Sequence, residues 1–378
     1  LNLTWVEVSQ SAILHNLKLF REQAGKALLA PVVKANAYGH GLVQIGRLVT
    51  ANGADWLCVN SLYEAVALRE HGITCPVHVL GYVSPTQAET VVALGLRMVV
   101  YDSEVVRRLS ALASARNQSV PLHIKIETGN NRQGLLPNQA LELAKLIRDL
   151  PGVELEGISS HYADIEDTTD HTFARSQLRR FLEMDKALRE LGTPPRIRSF
   201  SNSAATILWP ETRFELVRLG ISLYGLWPSK ETFVSAVMLG RETLDLRPAL
   251  TWKCVVAQVK SVPRGEYIGY GRTFRTSHET RLAVLPVGYY DGYDRGMSNL
   301  AHVIIGDHMA PVRGRIAMNM TVVDVTDIPD VEAGSEVVLL GRRGDNVLSS
   351  ELLAQWANTI NYEIPTRIND RIPRVLVD

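Results

Sequence analysis

Cysteine is scarce in this chain: Cys58, Cys75 and Cys254 are the only three among 378 residues. Three widely separated thiols cannot build a disulfide framework, and without a Cys-x-x-Cys pair nothing points to zinc or redox work. Net charge is also missing. Forty basic residues balance forty acidic ones, which argues against a nucleic-acid surface or a polybasic membrane patch as the main function. No apolar run approaches the roughly 18 residues of a membrane span. Leu1 to Gln10 alternates apolar and polar residues without a basic leader region, so no signal peptide is expected and the cytoplasm is the default compartment. Several signatures are absent: Gly-x-x-x-x-Gly-Lys-Ser/Thr, Gly-x-Gly-x-x-Gly after a strand, His-Glu-x-x-His and Gly-x-Ser-x-Gly. ATP hydrolysis, dinucleotide redox, zinc proteolysis and serine hydrolysis by those routes lose support. No metal site is expected.

What is present is a folded, enzyme-like composition, with 46% hydrophobic and 21% charged residues; a disordered chain is excluded. The length exceeds what one core usually supports, so two domains are expected. From about residue 30 to 220, apolar runs of strand length recur. They are Leu29–Lys34, Trp56–Val59, Val77–Leu80, Met98–Tyr101, Leu122–Ile126, Leu155–Ser159, Arg198–Ser201 and Leu216–Leu219. Such Val/Ile/Leu-rich runs read as buried parallel strands. Helical stretches lie between them. Ser61-x-x-Glu64 forms a capping box and Ser84-Pro85-x-Gln87 a second start; Pro151-Gly152 and Gly192 act as stops. Eight β/α units imply a (β/α)8 barrel, although periodicity alone leaves an open doubly wound sheet possible. Beyond residue 236 the texture turns to Val- and Thr-rich strands: Trp252–Val262, Arg281–Val287, His302–Ile305, Thr321–Val325 and Glu336–Leu340, with glycines between and a helical period at Ser350–Thr359. The expected division is therefore 1–236, a barrel, and 237–378, a mostly-β domain. The alternating Leu3–Val8 suits a strand that joins the second domain.

The most informative stretch is Val32-Val33-Lys34-Ala35-Asn36-Ala37-Tyr38-Gly39-His40-Gly41. A lysine ends an apolar strand, at the edge where barrels build active sites. Burial there lowers an amine pKa and suits a nucleophile or base; a lysine snorkelling at a strand end reads the same way in isolation. Arg218-Leu219-Gly220-Ile221 follows the eighth strand, and Ser201-Asn202-Ser203 the seventh, where barrels often hold phosphate on backbone N–H groups. Tyr270 stands between Gly269 and Gly271, which lets the backbone bend and expose the phenol.

Together these segments resemble the alanine racemases, a family that binds pyridoxal 5′-phosphate (PLP) on a (β/α)8 barrel, and the resemblance covers essentially the whole chain. It implies that Lys34 carries the cofactor and that Tyr38, Tyr362, Asn202, Ser203, Gly220 and Ile221 hold its phosphate. It further implies that Arg218 faces the pyridine nitrogen, His161 packs against the ring, and Arg132 reaches the phenolic oxygen. Lys125 matches a lysine that is often carbamylated. Tyr289 lines substrate entry, and the backbone at Met318 meets the substrate carboxylate. Tyr224 reads as structural. The chain departs from the commoner pattern at Glu127, Asn130 and Asn319.

An arginine opposite the ring nitrogen is always charged and accepts no proton. It should restrain electron flow into the ring and favour reprotonation at Cα over transamination. Racemisation needs proton transfer on both faces of Cα, hence two bases. The resemblance assigns Lys34 to the D-isomer and Tyr270 to the L-isomer. Tyr270 would come from the other subunit of a homodimer, and D-alanine would supply cell-wall peptidoglycan. Alternatives are a racemase of serine or of broad specificity, a PLP decarboxylase of the same fold type, and a non-enzymatic PLP-carrier barrel.

Overall fold

The computed structural model describes residues 2–241 and 244–378. The chain divides into two compact units. One comprises Ile13–Ala37 and Leu42–Arg247; the other comprises the chain up to Ala12, Tyr38–Gly41 and Pro248–Asp378.

The first strand of the chain, β1 (Thr4–Ser9), belongs to the second unit. The barrel strands follow: β2 (Leu28–Pro31), β3 (Leu57–Val59), β4 (Val77–Val79), β5 (Arg97–Val100), β6 (Val120–Lys125), β7 (Val153–Ser159), β8 (Ile197–Ser199) and β9 (Leu216–Leu219). Strands β3 to β8 form one parallel six-stranded run, and β2 pairs in parallel with β9. Two contacts close the ring. The Val32–Cys58 bridge joins β2 to β3, and the Arg218 N–H donates to Ser201 O at 3.1 Å between β9 and the end of β8. The sheet is therefore a closed (β/α)8 barrel, and the open doubly wound alternative is excluded.

Each apolar run supplies a strand because both of its faces are covered, so the burial is nearly continuous along β3, β4 and β9. The helices stand where the caps indicated. Leu62–Glu70 begins after Ser61, Pro85–Gln87 is a 3-10 turn leading into Ala88–Ala93, and Pro137–Asp149 stops before Pro151-Gly152. The helix Lys230–Met238 belongs to the barrel unit, so the units separate at Arg247/Pro248, later than the change of texture near 236. Its sequence carries too little helical signature to be assigned without its packing partners.

In the second unit β1 lies between two strands. It runs antiparallel to Leu250–Val255 and parallel to Arg374–Val377. A separate three-stranded sheet holds Gln258–Val262, Thr280–Leu285 and Thr321–Asp324. The run Trp252–Val262, expected as one strand, is split at Val256-Ala257. Val256 N–H turns to Ser335 O at 2.9 Å and Ala257 N–H to Val284 O at 2.8 Å, which sends the two halves into different sheets. Continuous apolarity cannot reveal such a change of partner.

Candidate active site

Lys34 stands three residues beyond the end of β2 and opens an unusual turn. Ala35, Asn36, Ala37 and Tyr38 have φ of 52°, 52°, 53° and 53°. Left-handed backbone costs about 1–2 kcal/mol per non-glycine residue, so the turn must be held by its surroundings. Within the barrel unit, Ala37 N–H donates to Val33 O, Leu42 N–H to Asn36 Oδ1, and Ala35 N–H to Glu64 Oε1, at 2.8, 2.8 and 2.7 Å. The Lys34 amine is half-buried, and its pKa is lowered. Burial is the main cause; Arg132 and Arg218 add to it, and Glu64 opposes it. The strand-end lysine is thus biased toward the neutral amine.

Arg218, on β9, is 4% exposed. Its Nη1 donates to Ser199 O at 2.7 Å and to Ser199 Oγ; its Nη2 donates to Ser160 O at 2.8 Å and Phe200 O at 3.3 Å. No ion pair to a carboxylate involves it among the described residues. Burial pushes its pKa down to about 10, which leaves it charged near neutrality. Carbonyl oxygens therefore fix the guanidinium without neutralising it, and Nε–H is not used in these four bonds.

Ser203, in the loop after β8, and Gly220, just after β9, meet directly. Ser203 Oγ accepts from Gly220 N–H at 3.0 Å and Ser222 N–H at 3.4 Å. Two backbone N–H groups of the loop after β9 thus converge on one hydroxyl oxygen of the loop after β8. Ile221 opens the 3-10 turn Ile221–Tyr224 that aims these donors. Asn202 caps the helix Ser203–Leu208 through Ala205 N–H at 2.9 Å and donates to Glu166 Oε1 at 2.5 Å. The Tyr224 hydroxyl donates to Val32 O at 2.8 Å and ties this loop to the end of β2.

Lys125 is buried at the end of β6, and its pKa is held well below the usual range. Burial is the largest cause, followed by the cations Arg218 and Arg132, with Glu127 opposing. Half-buried His161, just beyond β7, is likewise pushed well down by burial and by Lys125, Arg218, Arg132 and Lys34, so its imidazole is neutral at pH 7. Arg132 is exposed. Glu127 Oε1 takes Gly129 N–H, and Asn130 Nδ2 donates to Tyr162 O at 3.3 Å; both departures thus serve the loop that carries Arg132.

The second unit holds the remaining candidates. The rings of Tyr38 and Tyr362 lie 6.2 Å apart. Gly39 has φ of +84°, and a Cβ there would sit 1.9 Å from Pro365 O, so only glycine fits beside this pair. Tyr270 is 73% exposed on the turn Tyr270–Arg272. Tyr289 N–H donates to Ala317 O at 3.1 Å, and Tyr290 N–H to Met318 O at 2.9 Å, binding the Tyr289 loop to the Met318 loop. The Met318 loop is closed by Ala317 N–H to Met320 O at 2.9 Å and anchored by Ile316 N–H to Ser298 Oγ at 3.0 Å. Asn319 is exposed, and these backbone bonds secure the loop on either side of it.

Within one unit, Arg132 and Arg218 act by charge on Lys34, Lys125 and His161, while Ser203 meets Gly220, with Asn202 and Ile221 next to them in the chain. Tyr38, Tyr270, Tyr289, Met318 and Tyr362 belong to the other unit. Sequence reading passed over Glu64, seen only as a helix cap. Its spacing from Ser61 carried that signal, and nothing in the sequence pointed across to Ala35.

Comparison with known proteins agrees across the chain. Residues 8–228 match the family described as "Alanine racemase, N-terminal domain", and residues 249–376 the corresponding C-terminal domain. The alanine racemase of Methanococcus maripaludis is 39% identical over 98% of each chain. The crystal structure of the alanine racemase of D-cycloserine-producing Streptomyces lavendulae superposes with a TM-score of 0.92 at 34% identity, covering 100% of this chain and 98% of that one. A histidine racemase of Leuconostoc mesenteroides superposes with a TM-score of 0.89 at 25% identity, covering 100% and 98%.

Proposed function

The chain belongs to the alanine racemase family of PLP-dependent isomerases, and from that premise we propose that it interconverts L- and D-alanine with two bases, Lys34 and Tyr270. Beyond membership, the observation that carries this reading is Arg218, a buried guanidinium fixed by carbonyl oxygens with no carboxylate partner among the described residues.

The residues present fit PLP. Ser203 with the Gly220 and Ser222 N–H groups would hold the phosphate with Asn202, Ile221, Tyr38 and Tyr362. Lys34 would carry the cofactor, Arg218 would face the ring nitrogen, and His161 would cover the ring. When bound, PLP supplies the carbonyl that captures the substrate amine and the ring that withdraws electrons from Cα.

Arg218 cannot accept a proton, so it leaves the ring nitrogen unprotonated and limits electron withdrawal to what brief Cα deprotonation needs. Lys34, biased toward the neutral amine, takes or returns the Cα proton on one face. Tyr270 does so on the other. The high exposure of Tyr270 on a glycine-flanked turn supports its completing a site on a second copy of the chain, hence a homodimer. Lys125, pushed toward the neutral amine, is suited to add CO2 and release a proton, giving a carbamate that balances Arg132. Met318 and Tyr289 would line the substrate entry. The physiological role that follows is D-alanine supply for peptidoglycan in the cytoplasm.

The test is to incubate PLP-loaded protein with L-alanine and to follow both enantiomers by chiral chromatography. D-alanine formation supports the proposal. Release of CO2 instead indicates a decarboxylase, and PLP bound without turnover indicates a carrier. L-serine and L-histidine belong in the same panel, because the histidine racemase of similar fold shows that fold alone does not set the side chain accepted.

A further inference from the structure

We propose that Glu64 is a positioning residue for Lys34: its buried carboxylate bridges the loop after β2 to the loop after β3 and fixes the turn that presents the lysine amine. The inference rests on the reading of Lys34 as the cofactor lysine.

Glu64 is 2% exposed in the first turn of the helix Leu62–Glu70. A helix cap needs one bond, from Ser61 N–H to the carboxylate, and that bond is present at 3.0 Å. The same oxygen, Oε2, also accepts Asn60 N–H at 2.8 Å. The other oxygen leaves the helix altogether and accepts Ala35 N–H at 2.7 Å, 29 residues away in sequence. A cap has no use for that third bond. Ala35 is the residue after Lys34 and the first of the left-handed turn, and this is the bond its N–H makes.

The far end of the bridge is rigid. Gly81 N–H donates to Asn60 O at 2.9 Å, and a Cβ on Gly81 would lie 2.3 Å from that oxygen. On the lysine side, Val33 N–H donates to Cys58 O at 2.8 Å. Lys34 is thus flanked by Val33, whose N–H bonds to β3 directly, and by Ala35, whose N–H bonds to the Glu64 side chain that also holds the loop after β3. The carboxylate also opposes the other influences that lower the Lys34 pKa. A carboxylate accepts at both oxygens, whereas an amide must turn its NH2 toward a backbone N–H on one side. Glu64→Gln therefore breaks the bridge and removes the charge; Glu64→Asp keeps the charge and loses the reach.

The experiment uses the full chain. Borohydride reduction of the PLP-loaded wild type, with peptide mapping, first asks whether Lys34 carries the cofactor. Amide exchange resolved to single residues then follows Ala35, Asn60 and Ser61, and the pH midpoint of Lys34 acylation is measured by mass spectrometry on cofactor-free protein. In the wild type, the Ala35 amide should be protected like those of Asn60 and Ser61. In Glu64→Gln, Ala35 exchange should rise at least about tenfold, the Lys34 midpoint should fall by about half a pH unit, and kcat should fall about tenfold with KM little changed. In Glu64→Asp, exchange and kcat should change similarly while the midpoint moves less. Unchanged exchange and midpoint in folded variants would overturn the proposal. So would rapid Ala35 exchange in the wild type, a measurement that needs no variant. Failure of the label to reach Lys34 refutes the cofactor-lysine reading instead, and the exchange data distinguish the two failures.

Discussion

Lowering the pH should destabilise this protein well above the range where carboxylates titrate, and His78 should account for a defined share. His78 on β4 and His123 on β6 have β5 between them, yet their rings lie 4.5 Å apart. They can meet only through the barrel interior. Both are fully buried, and neither nitrogen of His78 has a hydrogen-bond partner among the described residues. Burial, and then the charges of His123, Arg218, Lys125 and Arg97, hold its pKa well below the ordinary 6.5. Burial also lowers His123, although its bond to Glu156 at 3.1 Å works against this.

The sign follows from proton counts. Between the folded and unfolded pKa values the unfolded chain binds the extra proton, so stability is full above about 6.5 and falls as pH drops. For a group that stays neutral while folded, the loss from pH 7.5 to 5.5 is RT ln 10, about 1.4 kcal/mol. His78 contributes that amount and His123 a smaller one of the same sign. Glu156 is different. Burial would raise its pKa, but His123 and Arg97 together hold it lower, so its contribution is lost only below the ordinary carboxylate range, outside this window. The assay is urea unfolding of wild type and His78→Leu at both pH values. The variant replaces an unpartnered ring with an apolar group and should lie within about 1 kcal/mol of wild type at pH 7.5. Its loss between pH 7.5 and 5.5 should be about 1.4 kcal/mol smaller. Equal losses in the two proteins would refute the assignment of His78 as a neutral buried base.

Other expected outcomes concern the site. Arg218→Glu should slow racemisation and raise conversion of L-alanine to pyruvate relative to it; a folded, PLP-loaded variant with an unchanged product ratio refutes the ring-nitrogen argument. Ser203→Ala removes the hydroxyl at Gly220 and Ser222, and PLP affinity measured by fluorescence titration should fall about tenfold, one charge-assisted hydrogen bond. Lys34→Ala and Tyr270→Phe should each be nearly inactive, and random subunit exchange between them should restore roughly a quarter of wild-type activity if two-fold symmetric dimers share sites. No recovery despite exchange seen by mass labelling rejects sharing. Intact-mass measurement in bicarbonate should show Lys125 heavier by one CO2, lost on acidification, and Lys125→Ala should lack the increment.

The linear sequence determined the eight barrel strands, because parallel strands buried on both faces leave apolar runs that survive without knowledge of partners. It also carried the Lys34 segment and the loops after β8 and β9, since a strand-end lysine and glycine-bearing turns are local features. The resemblance, and not residue physics, singled out Tyr38, Tyr362 and Met318. Only tertiary structure decided the rest. It split the run at Val256-Ala257, set β1 between Leu250–Val255 and Arg374–Val377, and gave Lys230–Met238 to the barrel unit. It also showed Glu64 reaching past its helix to Ala35, and His78 meeting His123 across the barrel. Strand runs and caps are governed by neighbours a few residues away and can be read along the chain. A hydrogen bond spanning 29 residues, or two rings meeting through a closed sheet, depends on which distant segments folding brings together, and no local pattern encodes that.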